Sequence, residues 1–340
     1  MPDDRFSSPH LETDLWRWLL FESGLSRQRA REFILQGAQS SALSLFWRAG
    51  PEILAQQMQA TPEEAALLRR GHEGWAVIEK RLDAERASGM MTLRLNEAGY
   101  PDSLSRFLPA EQRPLLLFLR GEPALLDLPL ALPVSPTTPG DDEAAWALET
   151  LFDLIQEGAS ALFMARAGFD ARAVREFLEA ELPFVLVIPQ GLAAYAPPPG
   201  LQRALEAERV LLVSPFQPGW SPPAQGQNPM APHAHSFACA LAHGLLALAC
   251  PLPHRAEGQP CFRRADVSGC EDCRVYEGAE SFFLGLAEAA APAFSGSAAS
   301  PTQSPSPEPE TPVDPAQILE TLARGGEIPP ALAARLKKQS

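Results

Sequence analysis

The chain has 340 residues, 46% of them hydrophobic, with 28 basic against 42 acidic groups and a net charge of −14. That length holds two domains, or one large domain with appendages, and the apolar share can build a core. The acidic balance disfavours nonspecific nucleic-acid binding by the surface at large and leaves a local basic patch for such a role. Residues 100–294 concentrate the charge, with 12 basic and 23 acidic groups and no lysine. No uninterrupted apolar run approaches the ~18 residues of a membrane span, and the opening MPDDRFSSPH has no basic region followed by an apolar run. A cytoplasmic protein without membrane contact is expected.

Residues 11–88 read as helices and define an N-terminal helical domain over 1–90. LETDLWRWLLF turns Leu15, Trp18 and Leu19 toward a core, and Ser26 caps a helix carrying Phe33 and Ile34. Thr61-Pro62-Glu63-Glu64 is a helix start: a cap, proline in the first turn, then acids near the positive end of the dipole. That helix is expected to run on through Trp75 and Ile78 to Ala87. Short strands follow at 92–95 and 115–119. The stretch from Ser160 to Tyr195 then reads as strand, glycine loop, helix, strand and loop. Its strands are 161–164 and 184–188, and its helix is 170–181 with Val174, Phe177 and Leu178 on one face. The second strand is apolar without alternation, as in a strand covered on both faces. This is a βαβ unit, so an α/β domain with a Rossmann-like parallel sheet is expected over 91–294. Residues 295–313 form a proline- and serine-rich linker, and 314–340 a short helical tail.

At residues 92–121 the chain resembles the DNA-processing protein A family (DprA, also called Smf). A strand, Tyr100-Pro101-Asp102-Ser103-Leu104, Pro114, an apolar strand and Gly121 match the lead-in to that family's core. Further matches follow in order. Residues 129–135 stand for the first core strand and 141–157 for the helix after it. Gly168-Phe169-Asp170-Ala171 stands for Gly-Ile-Asp-Ala, and Gln190-Gly191-Leu192 with Tyr195 for Gly-Leu-x-x-x-Tyr-Pro. The strand 210–214 with Pro215, Pro218 and Gly219, and then Glu277-Gly278-Ala279, complete the set. The resemblance covers about residues 11–290 and implies single-stranded DNA binding, delivery of the strand to a recombinase during transformation, and a homodimer. In that family a small winged-helix domain commonly follows the linker; the tail is too short for one and reads as its remnant or as a docking segment.

The phosphate-seeking residues that the resemblance implies are mostly replaced. Backbone phosphates call for arginines, N–H groups and glycines that permit close approach. The family's Gly-Ser-Arg after the first strand is Val134-Ser135-Pro136 here, leaving Ser135. Its Ser-Gly-Leu-Ala-Arg-Gly is Phe163-Met164-Ala165-Arg166-Ala167-Gly168, with Arg166 one position early, and the following histidine is Val174. Its Pro-x-Arg-Asn-Arg falls on Pro232-His233-Ala234-His235-Ser236, without either arginine. His233 and His235 read as solvent-exposed loop residues, neutral at pH 7; a metal pair is the alternative. Gly168 serves either a turn with positive φ or a ligand, Asp170 reads as the cap of the next helix, and Arg166 is a loop arginine or an anion contact.

No Walker loop, Gly-x-Gly-x-x-Gly or nucleophile elbow is present, and no enzyme is expected. Cys250, Cys261, Cys270 and Cys273 cluster within 24 residues. Cys270-Glu-Asp-Cys273 has the spacing of half a zinc site, but its other half is split by ten residues. Three readings stay open: structural zinc, ordinary thiols, and redox chemistry. A disulfide is not expected in the cytoplasm. Three functions are weighed: a diverged, non-catalytic family member with weakened single-stranded DNA binding; a nucleotide or small-ligand binder using Ser135, Arg166 and Gly168; and a structural partner of an intact family member.

Overall fold

A computed structural model describes residues 8–39, 43–95, 97–135, 138–223, 228–249, 252 and 254–290. The linker and helical tail expected over 295–340 lie outside the described residues, as does Cys250.

Six helices come first: α1 (Leu11–Phe21), α2 (Arg27–Gln39), α3 (Leu43–Ala49), α4 (Pro51–Gln57), α5 (Pro62–Glu73) and α6 (Trp75–Ala87). Helix α5 starts as the sequence dictates. The Glu64 N–H donates to Thr61 Oγ1 at 3.3 Å, and the Thr61 N–H donates to the Glu64 carboxylate at 2.9 Å. This reciprocal pairing satisfies two donors that a helix start otherwise leaves orphaned. The single helix expected from Pro62 to Ala87 is instead two, broken at Gly74. Gly71 explains why α5 must sit close: a Cβ there would lie 2.0 Å from Cζ2 of Trp18. The indole of Trp18 meets those of Trp47 at 5.2 Å and Trp75 at 6.4 Å, and all three are buried. Such tilted and edge-on aromatic contacts add to the area they bury.

Among the described residues nine strands form one sheet. They are β1 (Met90–Arg94), β2 (Leu116–Gly121), β3 (Leu130–Val134), β4 (Ser160–Met164), β5 (Phe184–Val187), β6 (Val210–Ser214), β7 (Gly244–Ala247), β8 (Cys261–Arg263) and β9 (Arg274–Val275). Between them run α7 (Asp102–Phe107), α8 (Asp141–Gln156), α9 (Phe169–Glu179), α10 (Pro199–Glu206) and α11 (Ala231–Leu241), with α12 (Ala279–Ala290) last. The order across the sheet is β1-β2-β6-β5-β4-β3-β7-β8-β9. From β6 to β9 every pair is parallel, as the βαβ unit requires; β1–β2 and β2–β6 are antiparallel. The parallel sheet expected from sequence therefore carries an antiparallel edge. Antiparallel neighbours need no crossover, and only α7 separates β1 from β2 in the chain.

Strands β3 to β6 are buried along their whole length. One face packs on α8, α9, α10 and α12 together with the N-terminal helices, and the other on α7 and α11. The N-terminal helices reach the sheet through α1, where Phe21 packs 6.0 Å from Phe118 and the Arg17 guanidinium lies 5.5 Å from the same ring. The chain winds outward from β3 through β4 and β5 to β6, then α11 carries it back to β7 on the other side of β3. Strand β3 is thus the switch point, where connections leave in opposite directions and open a crevice at the strands' carboxyl ends.

Candidate functional site

A cleft of about 370 Å³ occupies that crevice. Pro133 and Ser135 come from the end of β3, Thr138 and Pro139 from the approach to α8, residues 166–168 from the turn between β4 and α9, Phe169 and Asp170 from the start of α9, and Leu248 from the end of β7. The three residues grouped from sequence as a ligand pocket, Ser135, Arg166 and Gly168, therefore meet in one place. Gly168 has φ +90°, the left-handed region that favours glycine, and opens α9 with nothing within 4 Å of where a Cβ would stand.

Asp170 is not the helix cap expected. Its Oδ1 accepts the N–H of Met164 at 3.0 Å, and its Oδ2 accepts the Arg166 Nε–H at 2.5 Å. The carboxylate is buried, 2% exposed against 38% for the arginine side chain. A buried carboxylate left without a cation is costly, so Arg166 is held by its own protein. Arg166 is the one cationic side chain among the described residues that line the cleft. The next arginine, Arg172 on α9, lies 3.6 Å from Asp141 at the start of α8 and donates to Glu176 at 2.9 Å. Asp141 and Asp142 are exposed at that helix start. Every cation named here already has a carboxylate.

The histidines separate. Both stand on α11 rather than in a loop, because Pro232 falls in the first turn, where its missing N–H costs nothing. His233 is exposed and does not line the cleft. His235, expected in solvent, is half-buried, with its ring 5.0 Å from that of His254. Burial chiefly, then the charge of Arg166 and then His254, pushes its pKa down to about 4. A neutral imidazole at pH 7 adds no cation to the site.

The loops after β5 and β6 lock to each other. The Gly191 N–H donates to the Trp220 carbonyl at 2.8 Å, and the Ala193 N–H to the Pro218 carbonyl at 2.9 Å. A Cβ at Gly191 would lie 2.1 Å from the carbonyl oxygens of Gln217 and Pro218. Gly191→Ala should therefore cost about 2 kcal/mol through forced separation of the loops, measured as a lower denaturation midpoint with an unchanged slope.

The cysteines stand elsewhere, toward β8 and β9. Cys261 and Cys273 form a disulfide with a Cα separation of 4.8 Å, contrary to the expectation that no disulfide forms. Their Cα atoms are as far apart as neighbouring strands place them, since Cys261 opens β8 and Cys273 directly precedes β9. Cys270 is disulfide-bonded as well.

Sequence reading missed the Arg166–Asp170 and Arg172–Asp141 pairs. An arginine and an aspartate four apart is the signal for the first; the second joins two helices and has none. No protein-family model matches the chain, and no curated protein matches it. Among solved structures, DNA processing protein A (DprA) from Streptococcus pneumoniae matches with a TM-score of 0.53 and 17% identity, over 78% of this chain and 95% of that one. DNA processing protein A from Helicobacter pylori, described there with its single-stranded DNA binding mode, matches with a TM-score of 0.41 and 17% identity, over 57% of this chain and 93% of that one. The chain thus has the α/β fold of DNA processing protein A, with an open switch-point cleft whose lining arginine is already paired.

Proposed function

We propose that this is a diverged, non-catalytic protein of DNA uptake or processing whose single-stranded DNA binding is weakened. The observation that carries the reading is the pairing of Arg166 with buried Asp170 in a cleft that is otherwise well placed to take a ligand. A phosphate entering there must compete with a carboxylate at 2.5 Å, in a segment of the chain that is net acidic. On this reading its work runs chiefly through protein contacts: a recombinase, a second copy of the chain, or an intact relative.

The test is binding of a labelled oligothymidylate across a salt series. Each phosphate neutralised on a single strand contributes about 0.7 to the slope of log K against log salt. With one arginine lining the cleft, the slope should not exceed about 0.7. A slope of about 2 or more would mean several phosphate contacts and would refute the weakening.

The size of the cleft favours one further reading. At about 370 Å³ it falls in the range of small-molecule sites, and the glycine-opened start of α9 faces it. A nucleotide or similar anion held by Ser135, Arg166 and Gly168 would raise the melting temperature in a nucleotide screen, and Arg166→Ala would abolish the shift.

A further inference from the structure

The β7–β8–β9 end of the sheet carries a second cluster of chemistry that the cleft does not use. Strands β8 and β9 are three and two residues long, too little regular structure to fix residues 254–275 by backbone pairing alone. Cys261 and Cys273 are buried at neighbouring positions on their starting ends, 2% and 5% exposed. The Cys273 N–H donates to the Cys270 carbonyl at 3.1 Å, closing a four-residue turn that begins and ends on cysteine. Cys270 packs against the same apolar cluster. Among the described residues no three metal-competent side chains stand as an open constellation, and Cys261, Cys270 and Cys273 are bonded in disulfides.

The environment of Cys273 suits a charged sulfur better than a disulfide. The Arg255 Nη1 lies 3.8 Å from its Sγ. That guanidinium is held in place by the Gln259 carbonyl, at 3.1 Å from Nε and 3.0 Å from Nη2, and by the Asp272 carbonyl at 3.3 Å. A fixed cation against sulfur stabilises thiolate strongly and a neutral disulfide little, and outer hydrogen bonds of this kind orient and tune metal ligands.

We propose that Cys261, Cys270 and Cys273 are thiolate ligands of a structural zinc-class cation, and that the disulfides are the oxidised, metal-free form of the same site. Reduction of each disulfide by a dithiol takes two electrons and two protons. It breaks one S–S bond, yields two thiols and leaves the reductant as its own disulfide. Binding of Zn²⁺ then releases one proton from each ligating thiol. The site crosslinks the β8 and β9 ends, where the sheet supplies little regular structure of its own.

The chain purified under a dithiol and supplied with zinc should retain about one zinc per chain after desalting. Cobalt added to the reduced wild-type chain should give the thiolate charge-transfer absorption of a tetrahedral sulfur site, and the oxidised chain should give none. Cys270→Ser and Cys273→Ser should each lower metal affinity by roughly tenfold or more. Absence of both zinc and the cobalt spectrum in the reduced wild-type chain, with its thiols confirmed free by titration, would overturn the proposal without reliance on any variant. Full metal content in a folded Cys270→Ser/Cys273→Ser chain would overturn it too.

Discussion

Phe177→Ala should lower the unfolding free energy by about 4 kcal/mol, within the range for emptying a buried aromatic position. The side chain is fully buried on α9. Its ring stacks on Phe152 of α8 at 5.3 Å and meets the edges of Phe163 on β4 at 5.0 Å and Phe184 on β5 at 6.1 Å. Those contacts tie α8, α9 and β4, whose ends border the cleft, to the neighbouring strand β5. Removing the ring leaves a void that four rigid elements cannot close. Urea denaturation followed by fluorescence measures the loss. A cost below about 1 kcal/mol would show that the site can collapse around the void and that α9 is anchored elsewhere.

Acidification should destabilise the chain before its carboxylates titrate. His243 is half-buried between β3 and β7: the Leu130 N–H donates to its Nδ1 at 3.0 Å, and the backbone N–H of His243 donates to the Leu130 carbonyl at 2.9 Å. Burial chiefly, with Arg106 adding to it, pushes its pKa down to about 4. The folded chain thus keeps the imidazole neutral while the unfolded chain protonates it near 6.5. The resulting stability is fully present above pH 6.5 and drains away as the pH falls toward 4. Between pH 7 and 5 this amounts to about 2 kcal/mol for His243, and His235 acts in the same direction. His243→Gln, which can still accept from Leu130, should remove that share of the pH dependence in paired denaturation curves. A pH profile identical to wild type would place the titration on other groups.

Much of the fold was legible because its signals are local. Unbroken apolar runs gave β4 and β5 nearly to the residue, the family resemblance placed β3 and β6, and Thr61-Pro62-Glu63-Glu64 gave the start of α5. The positive φ of Gly168 followed from the strand–glycine–helix pattern. Signals that depend on tertiary partners were not legible. The break at Gly74 accompanies the approach of α5 to Trp18, and the antiparallel edge depends on β2 lying beside β6. At the site, the family's motifs singled out Ser135, Arg166 and Gly168, and the structure brings them together because each follows a parallel strand or opens the helix after one. They did not show that Asp170 turns back to Arg166 instead of capping α9, nor that α11 puts His235 beside that arginine. The proline before the histidines reads equally as loop or first helical turn, and only packing decides.

The central claim is that the cleft keeps its shape while its charge is cancelled, and relieving the cancellation tests it most directly. Asp170→Asn keeps an oxygen that can accept the Met164 N–H and removes the carboxylate that pairs Arg166. Labelled oligothymidylate titrated at low salt should bind this variant several-fold more tightly than wild type, with a salt slope steeper by about 0.7. An affinity and slope unchanged from wild type, in a variant that remains folded, would contradict the account.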